Sequence, residues 1–222
     1  MNMKKAIIHA SLPFLAGANL HATVLTFDIT GISDFQNVPQ GYGDNVTAAT
    51  MGTFSYGTTQ GFTPNVTTSY GNSAPSLWTN GFGSLTNVIF EDTDSTGVLN
   101  ITLSAQSGFL VLLHSFDLAA FSSDFAFDPT ITSVTVFNSL NVSLFSQSNV
   151  TVSRTTSTPV GFAMPLSDTS LRIEINATNL NNLNDSIGAD NITFSQAVPE
   201  PEAIVMLTLG FGGLALRRRR KG

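Results

Sequence analysis

The chain has 222 residues, enough for one domain with a core, of which 42% are hydrophobic and only 11% charged. It has no cysteine, which excludes disulfides, a thiolate zinc site and a thiol nucleophile. Its basic residues gather at the ends: between Thr23 and Val198 only Arg154 and Arg172 offset thirteen carboxylates, and a body net charge near −11 repels nucleic acid and anionic lipid.

In chain order, the first element is MNMKKAIIHASLPFLAGANLHA. Lys4 and Lys5 form a basic start, Ala6 to Ala18 a mostly apolar run, and small residues follow. Residues 1–22 therefore read as a secretory signal peptide, with cleavage after Ala22 and Ala18 as the alternative site.

From 23 to 197 short runs of period-two alternation are separated by Gly, Asn, Pro, Asp and Ser. The pattern predicts strands over 24–29, 87–91, 98–104, 109–118, 131–137, 142–145, 150–154, 171–176 and 191–195. In LRIEIN, Leu171, Ile173 and Ile175 alternate with Arg172, Glu174 and Asn176, one face dry and one wet. No segment of this body sustains a capped helical period. The fold class implied is all-β, an antiparallel sandwich. The stretch 36–85 departs from the pattern, being rich in Gly, Tyr, Asn and Ser, with one strand expected over 61–70.

The last element, 198–222, begins Val198-Pro199-Glu200-Pro201, continues with an uncharged run over 203–216, and ends Arg217, Arg218, Arg219, Arg220, Lys221. Fourteen residues of helix cover about 21 Å, short of the roughly 30 Å hydrocarbon core. Snorkelling arginines would lengthen the effective span, and the positive-inside rule would leave them in the cytoplasm as a stop-transfer charge.

These three parts in this order resemble the PEP-CTERM sorting signal of Gram-negative bacteria. The resemblance implies export by the general secretory route, transient retention in the membrane through the C-terminal helix, and processing near Pro-Glu-Pro by an exosortase. It also implies a final place at the cell surface or in an extracellular matrix rich in exopolysaccharide. The body more loosely resembles galactose-binding-like and carbohydrate-module jelly rolls, through FLVLLHSFDLAAF and SIGADNITFSQ. A fold of that breadth does not fix a function.

Candidate chemistry is sparse. His114 is the one histidine left after signal cleavage, and alternation places it on a strand face with Leu110, Leu112, Phe116 and Leu118, which reads as packing. No GxSxG or HExxH motif is present. Glu91, Asp92 and Asp94 form the densest acidic cluster and read as a solvated turn, not as a catalytic pair. Asp28, Asp44 and Asp190 are hard oxygen donors near the first and last strands, and the resembled modules often hold a structural calcium there. DTDSTG lacks the terminal bidentate Glu of an EF-hand loop. A glycan platform, if the chain has one, would use Trp78, the sole tryptophan, with Tyr42 and Tyr70. The expectation is an exported, non-enzymatic surface or matrix protein associated with exopolysaccharide. The alternatives are a carbohydrate-binding module and, more remotely, a glycan hydrolase or lyase.

Overall fold

The computed structural model describes residues 22–58, 61–71, 75–92 and 96–199. Residues 1–21 of the expected signal peptide, and residues 200–222 with the apolar run and arginine cluster, lie outside the described residues. Among the described residues no helix is long and apolar enough to cross a membrane.

Two antiparallel sheets face each other. The larger has the order β11 (Thr158–Asp168), β8 (Leu110–Ala120), β13 (Ile187–Ala197), β1 (Thr23–Ile29), β3 (Phe54–Thr58) and β2 (Thr50–Met51). On this sheet β6 (Val88–Phe90) also pairs with β13, and β5 (Ser76–Trp78) pairs with β6. The smaller sheet has the order β10 (Ser143–Thr151), β9 (Thr130–Asn138), β12 (Ser170–Asn176), β7 (Val98–Ala105) and β4 (Val66–Ser69). First and last strands are therefore neighbours at the centre of the larger sheet, with Val24 opposite Thr193. The fold is the predicted all-β sandwich.

Alternation explains the core. Along β12, Leu171, Ile173 and Ile175 are buried while their neighbours are half-exposed. Ile101 and Leu103 of β7 and Val134 and Val136 of β9 extend that inner face. Leu25, Leu113, Leu118, Ile192 and Phe194 supply the opposing one. Each such side chain contributes about 1.5–3 kcal/mol on burial.

Three sequence expectations need correction. The runs over 142–145 and 150–154 are joined in one strand, β10, which stops at Thr151 and continues through the polar Ser-Gln-Ser-Asn between them because it is an edge strand with little to bury. The pattern missed β11, whose sequence TPVGFAMPLSD contains two prolines and a glycine; it too is an edge strand, where proline is tolerated. His114 does not share a face with Phe116 and Leu118. Core positions run Val111, Leu113 and then Phe116, Leu118, a slip of one residue in the alternation. The slip coincides with irregular registers between β8 and both of its neighbours. His114 consequently lies on the other face, where its Nε2 is 2.8 Å from the buried Ser195 Oγ and burial lowers its pKa.

The irregular stretch is ordered by aromatic packing rather than by long strands. Of the expected strand over 61–70, only Val66–Ser69 forms as β4. Tyr42 stacks on Tyr56 with centroids 5.1 Å apart and lies 5.1 Å from Phe27; Tyr70 meets Phe27 edge-on at 6.2 Å. The hydroxyls are satisfied internally. Tyr70 Oη donates to the Tyr42 carbonyl at 2.6 Å, Tyr42 Oη to the Ser55 carbonyl at 3.2 Å, and Tyr56 Oη accepts from the Gly43 N–H. Gly43 has φ +95°, and a Cβ there would come within 2.6 Å of the Thr68 methyl.

Candidate functional site

A cavity of about 240 Å³ opens at the end of the larger sheet where β8 finishes and β13 begins. Its lining is drawn from several connections. Phe82 and Phe90 are buried and form the floor. Trp78, at the end of β5, and Phe121, just after β8, form the walls, 5.2 Å apart and edge-on. Phe35 stands at the rim, 59% exposed, with its ring 4.5 Å from that of Trp78 at 84°. Asp124, Asp185 and Ser186 complete the opposite rim.

Local bonds hold these groups in place. The Phe35 N–H donates to the Leu77 carbonyl and the Leu77 N–H to the Gln36 carbonyl, which ties the Phe35 loop to β5. Asp34 accepts from the Thr79 N–H at 2.7 Å, closing the same loop from the other side. Phe35 itself has φ +63°, a left-handed conformation that costs a residue with a Cβ about 1 kcal/mol or more. Gly81, at φ +91°, lets the Phe121 ring lie close: a Cβ there would meet it at 2.5 Å. The buried Ser186 hydroxyl donates to Asp124 and lies 3.4 Å from Asp185 Oδ1, so it joins the two carboxylates at the rim.

Of the residues singled out as glycan-binding, Trp78 does line this cavity, and Tyr42 and Tyr70 do not. Both tyrosines are core residues, 0% and 1% exposed, and burial raises both phenol pKa values. Their rings cannot present a face to a sugar. The three aspartates proposed as calcium ligands separate in the same way. Asp44 accepts from the Thr68 N–H at 2.6 Å and from the Thr68 hydroxyl at 3.1 Å, bracing the tyrosine cluster. Asp28 and Asp190 sit on adjacent strands, with Asp117 opposite Asp190 on β8. Burial, then the Asp117 and Asp28 charges, push the Asp190 carboxyl up to about 8, against the opposing pull of the Asn191 N–H. Among the described residues no group of three or more His, Cys, Asp or Glu side chains converges as a metal site. Glu91 is buried and accepts from the Gly97 N–H at 3.1 Å, and Asp92 accepts from Ser76 at 3.0 Å; both brace loops.

At the C-terminus, Ala197 is the last residue of β13 and Val198 is already 65% exposed. Residues 197–221 match the family model of the PEP-CTERM protein-sorting motif. This chain carries a PEP-CTERM sorting signal. A PEP-CTERM motif marks an exported protein and a substrate of an exosortase-type processing enzyme. No curated protein matches the chain. Among solved structures it is similar to the family 32 carbohydrate-binding module of C. perfringens NanJ in complex with galactose, at 10% identity. That likeness covers 79% of this chain and 99% of the module, with a TM-score of 0.28, too loose for residue-by-residue correspondence.

The PEP-CTERM segment and the cavity occupy opposite ends of one strand. Ser186 lines the cavity immediately before β13 begins at Ile187, and the strand's eleventh residue, Ala197, opens the sorting motif. At about 3.3 Å per residue the two are roughly 30–35 Å apart.

Sequence reasoning missed Phe35, Phe82, Phe90, Phe121, Asp124 and Asp185, because phenylalanine in an all-β chain reads as core. A signal was present for two of them. Phe35 in ISDFQN and Phe121 in AAFSSDFAFDP lie among turn residues, outside any alternating run, where a large apolar side chain has no strand face to occupy.

Proposed function

We propose that this protein is an exported, non-enzymatic glycan-holding protein of the cell envelope. Its PEP-CTERM segment holds it transiently at the membrane until an exosortase processes it, and its aromatic cavity retains exopolysaccharide. The observation that supports the reading is the cavity itself. Aromatic rings beside carboxylate and hydroxyl groups match the two surfaces of a pyranose, its C–H face and its hydroxyl edge. The β13 arrangement is compatible with display as well, since the strand separates the cavity from residue 197, where the sorting motif begins. The His114–Ser195 pair is no basis for acyl transfer, since Ser195 is 1% exposed.

The test is retention of the full-length chain on immobilised exopolysaccharide. Trp78→Ala should reduce retention at least tenfold while the far-ultraviolet circular dichroism stays unchanged. Equal retention by the two proteins would sink the cavity as the binding site, and turnover of the polysaccharide would replace binding with catalysis. Fractionation tests the other half: deleting Arg217 to Lys221 should shift the protein from envelope to medium.

A further inference from the structure

Charge at the rim points to the kind of glycan. Asp124 and Asp185 both line the cavity, and among the described residues no basic side chain forms an ion pair with either. Among the described residues neither arginine of the body pairs with a rim carboxylate, although Arg154 is bonded to the 122–125 turn that carries Asp124. Arg154 donates to the Ser122 and Phe125 carbonyls at 3.0 and 2.8 Å, and Arg172 pairs with Glu174 on the smaller sheet and lies over the Phe137 ring. Asp34, on the Phe35 loop, adds a third carboxylate nearby, and no histidine faces the cavity among the described residues. Aromatic faces and edge carboxylates are together the surroundings in which a protonated amine is held best. A cation over an aromatic ring is drawn to the negative face of its quadrupole, and a charged hydrogen bond to carboxylate is roughly twice as strong as a neutral one. A neutral sugar would use the rings and leave that charge unmatched; an acidic sugar would be repelled.

We propose that this cavity selects glycans bearing free amines, an amino-sugar polymer whose ammonium groups meet Asp124 and Asp185 while the sugar ring packs on Trp78 and Phe35. The inference rests on the glycan reading of the same cavity and narrows it to a cationic polysaccharide. Amine selection follows from two carboxylates placed where a sugar's substituents would project beyond the aromatic walls.

The experiment titrates full-length protein in detergent with three probes: a glucosamine tetramer, its fully N-acetylated counterpart and a glucose tetramer. At pH 6 and low salt the amine tetramer should bind at least tenfold more tightly than either neutral probe. That gap should close as pH rises to 9 and the ligand's amine loses its proton, while the neutral probes keep their affinity. Asp190, whose carboxyl also titrates in this range, stands outside the lining four residues along from Ser186. Asp185→Asn should narrow the gap at pH 6. Because the whole body is acidic, Trp78→Ala and Phe35→Ala must each weaken the amine tetramer too; binding that ignores both is diffuse attraction and overturns the proposal. A gap smaller than tenfold at pH 6 overturns amine selection but leaves the glycan site standing. Failure of all three probes to bind overturns both.

Discussion

The molecule has two aromatic clusters of similar size and opposite character. Tyr42 and Tyr70 flank Phe27 deep in the sandwich, Tyr56 stacks on Tyr42, and every phenol has a partner inside the protein. Phe35, Trp78 and Phe121 line an open cavity, with rings meeting edge-on and a rim of carboxylates. The difference teaches that a polar handle on a ring is no sign of a ligand site in this fold. Tyr42 and Tyr70 are glycan candidates in the sequence for their aromatic faces, and their hydroxyls are what fix them in the interior: an aromatic group with a satisfied hydrogen bond is a strut. The rings left for a ligand lie where the loops leave a concave gap.

The most damaging substitution should be Tyr70→Ala. It empties a fully buried aromatic site and removes the donor to the Tyr42 carbonyl, so we expect a loss of about 3–5 kcal/mol in chemical denaturation. Glycan retention per folded molecule should not change. A drop in retention at full folding would join the two clusters into one functional unit.

Phe35→Ala is the converse. With 59% of the side chain already exposed, its removal should cost under about 1 kcal/mol, yet retention on polysaccharide should fall several-fold. A stability loss matching that of Tyr70→Ala would make Phe35 a strut as well.

The pair also shows how far the sequence could be read. Periodicity found β1, β7 and β12 closely, because each has one buried and one wet face and alternation is a direct record of that. It failed at β10 and β11, since edge strands bury too little for burial to shape their sequence. It failed also at His114, where an irregular register moves the core face by one residue. The sorting segment was legible because membrane and processing machinery read it as a linear string. Of the cavity, only Trp78 was singled out from the sequence: the lining comes from strands β5 and β6 and four connections spread along the chain, and nothing local marks Asp124 or Asp185 as neighbours.

The acidic corner beside β1 and β13 gives a third test, on a site belonging to neither cluster. Asp190 keeps its proton in the folded protein up to about pH 8, whereas in the unfolded chain an Asp ionises near 4. A carboxyl whose folded pKa is raised costs stability as pH climbs between those values, and costs nothing below both. Asp190→Asn keeps an acceptor for the Asn191 N–H and removes that cost. Its melting midpoint should exceed the parent's by several degrees at pH 8 and match it at pH 4. A constant difference across that range would mean that Asp190 does not titrate in it.

The smallest effect expected is that of calcium. At matched ionic strength calcium and magnesium should move the midpoint equally, by screening an acidic body. A rise specific to calcium and lost in Asp190→Asn would restore an ion to that corner and show that it displaces the proton.

The position of β13 has a mechanical consequence. A polymer seated in the cavity and a tail held at the membrane would pull on the two ends of the same strand, along its length. That strand is flanked by β1 and β8 in the middle of the sheet, so the load would shear many backbone hydrogen bonds at once instead of opening them one by one. A protein tethered this way should yield at higher force when stretched between residues 186 and 197 than when peeled from its edge strand β11, a difference that single-molecule pulling from the two pairs of attachment points would read directly.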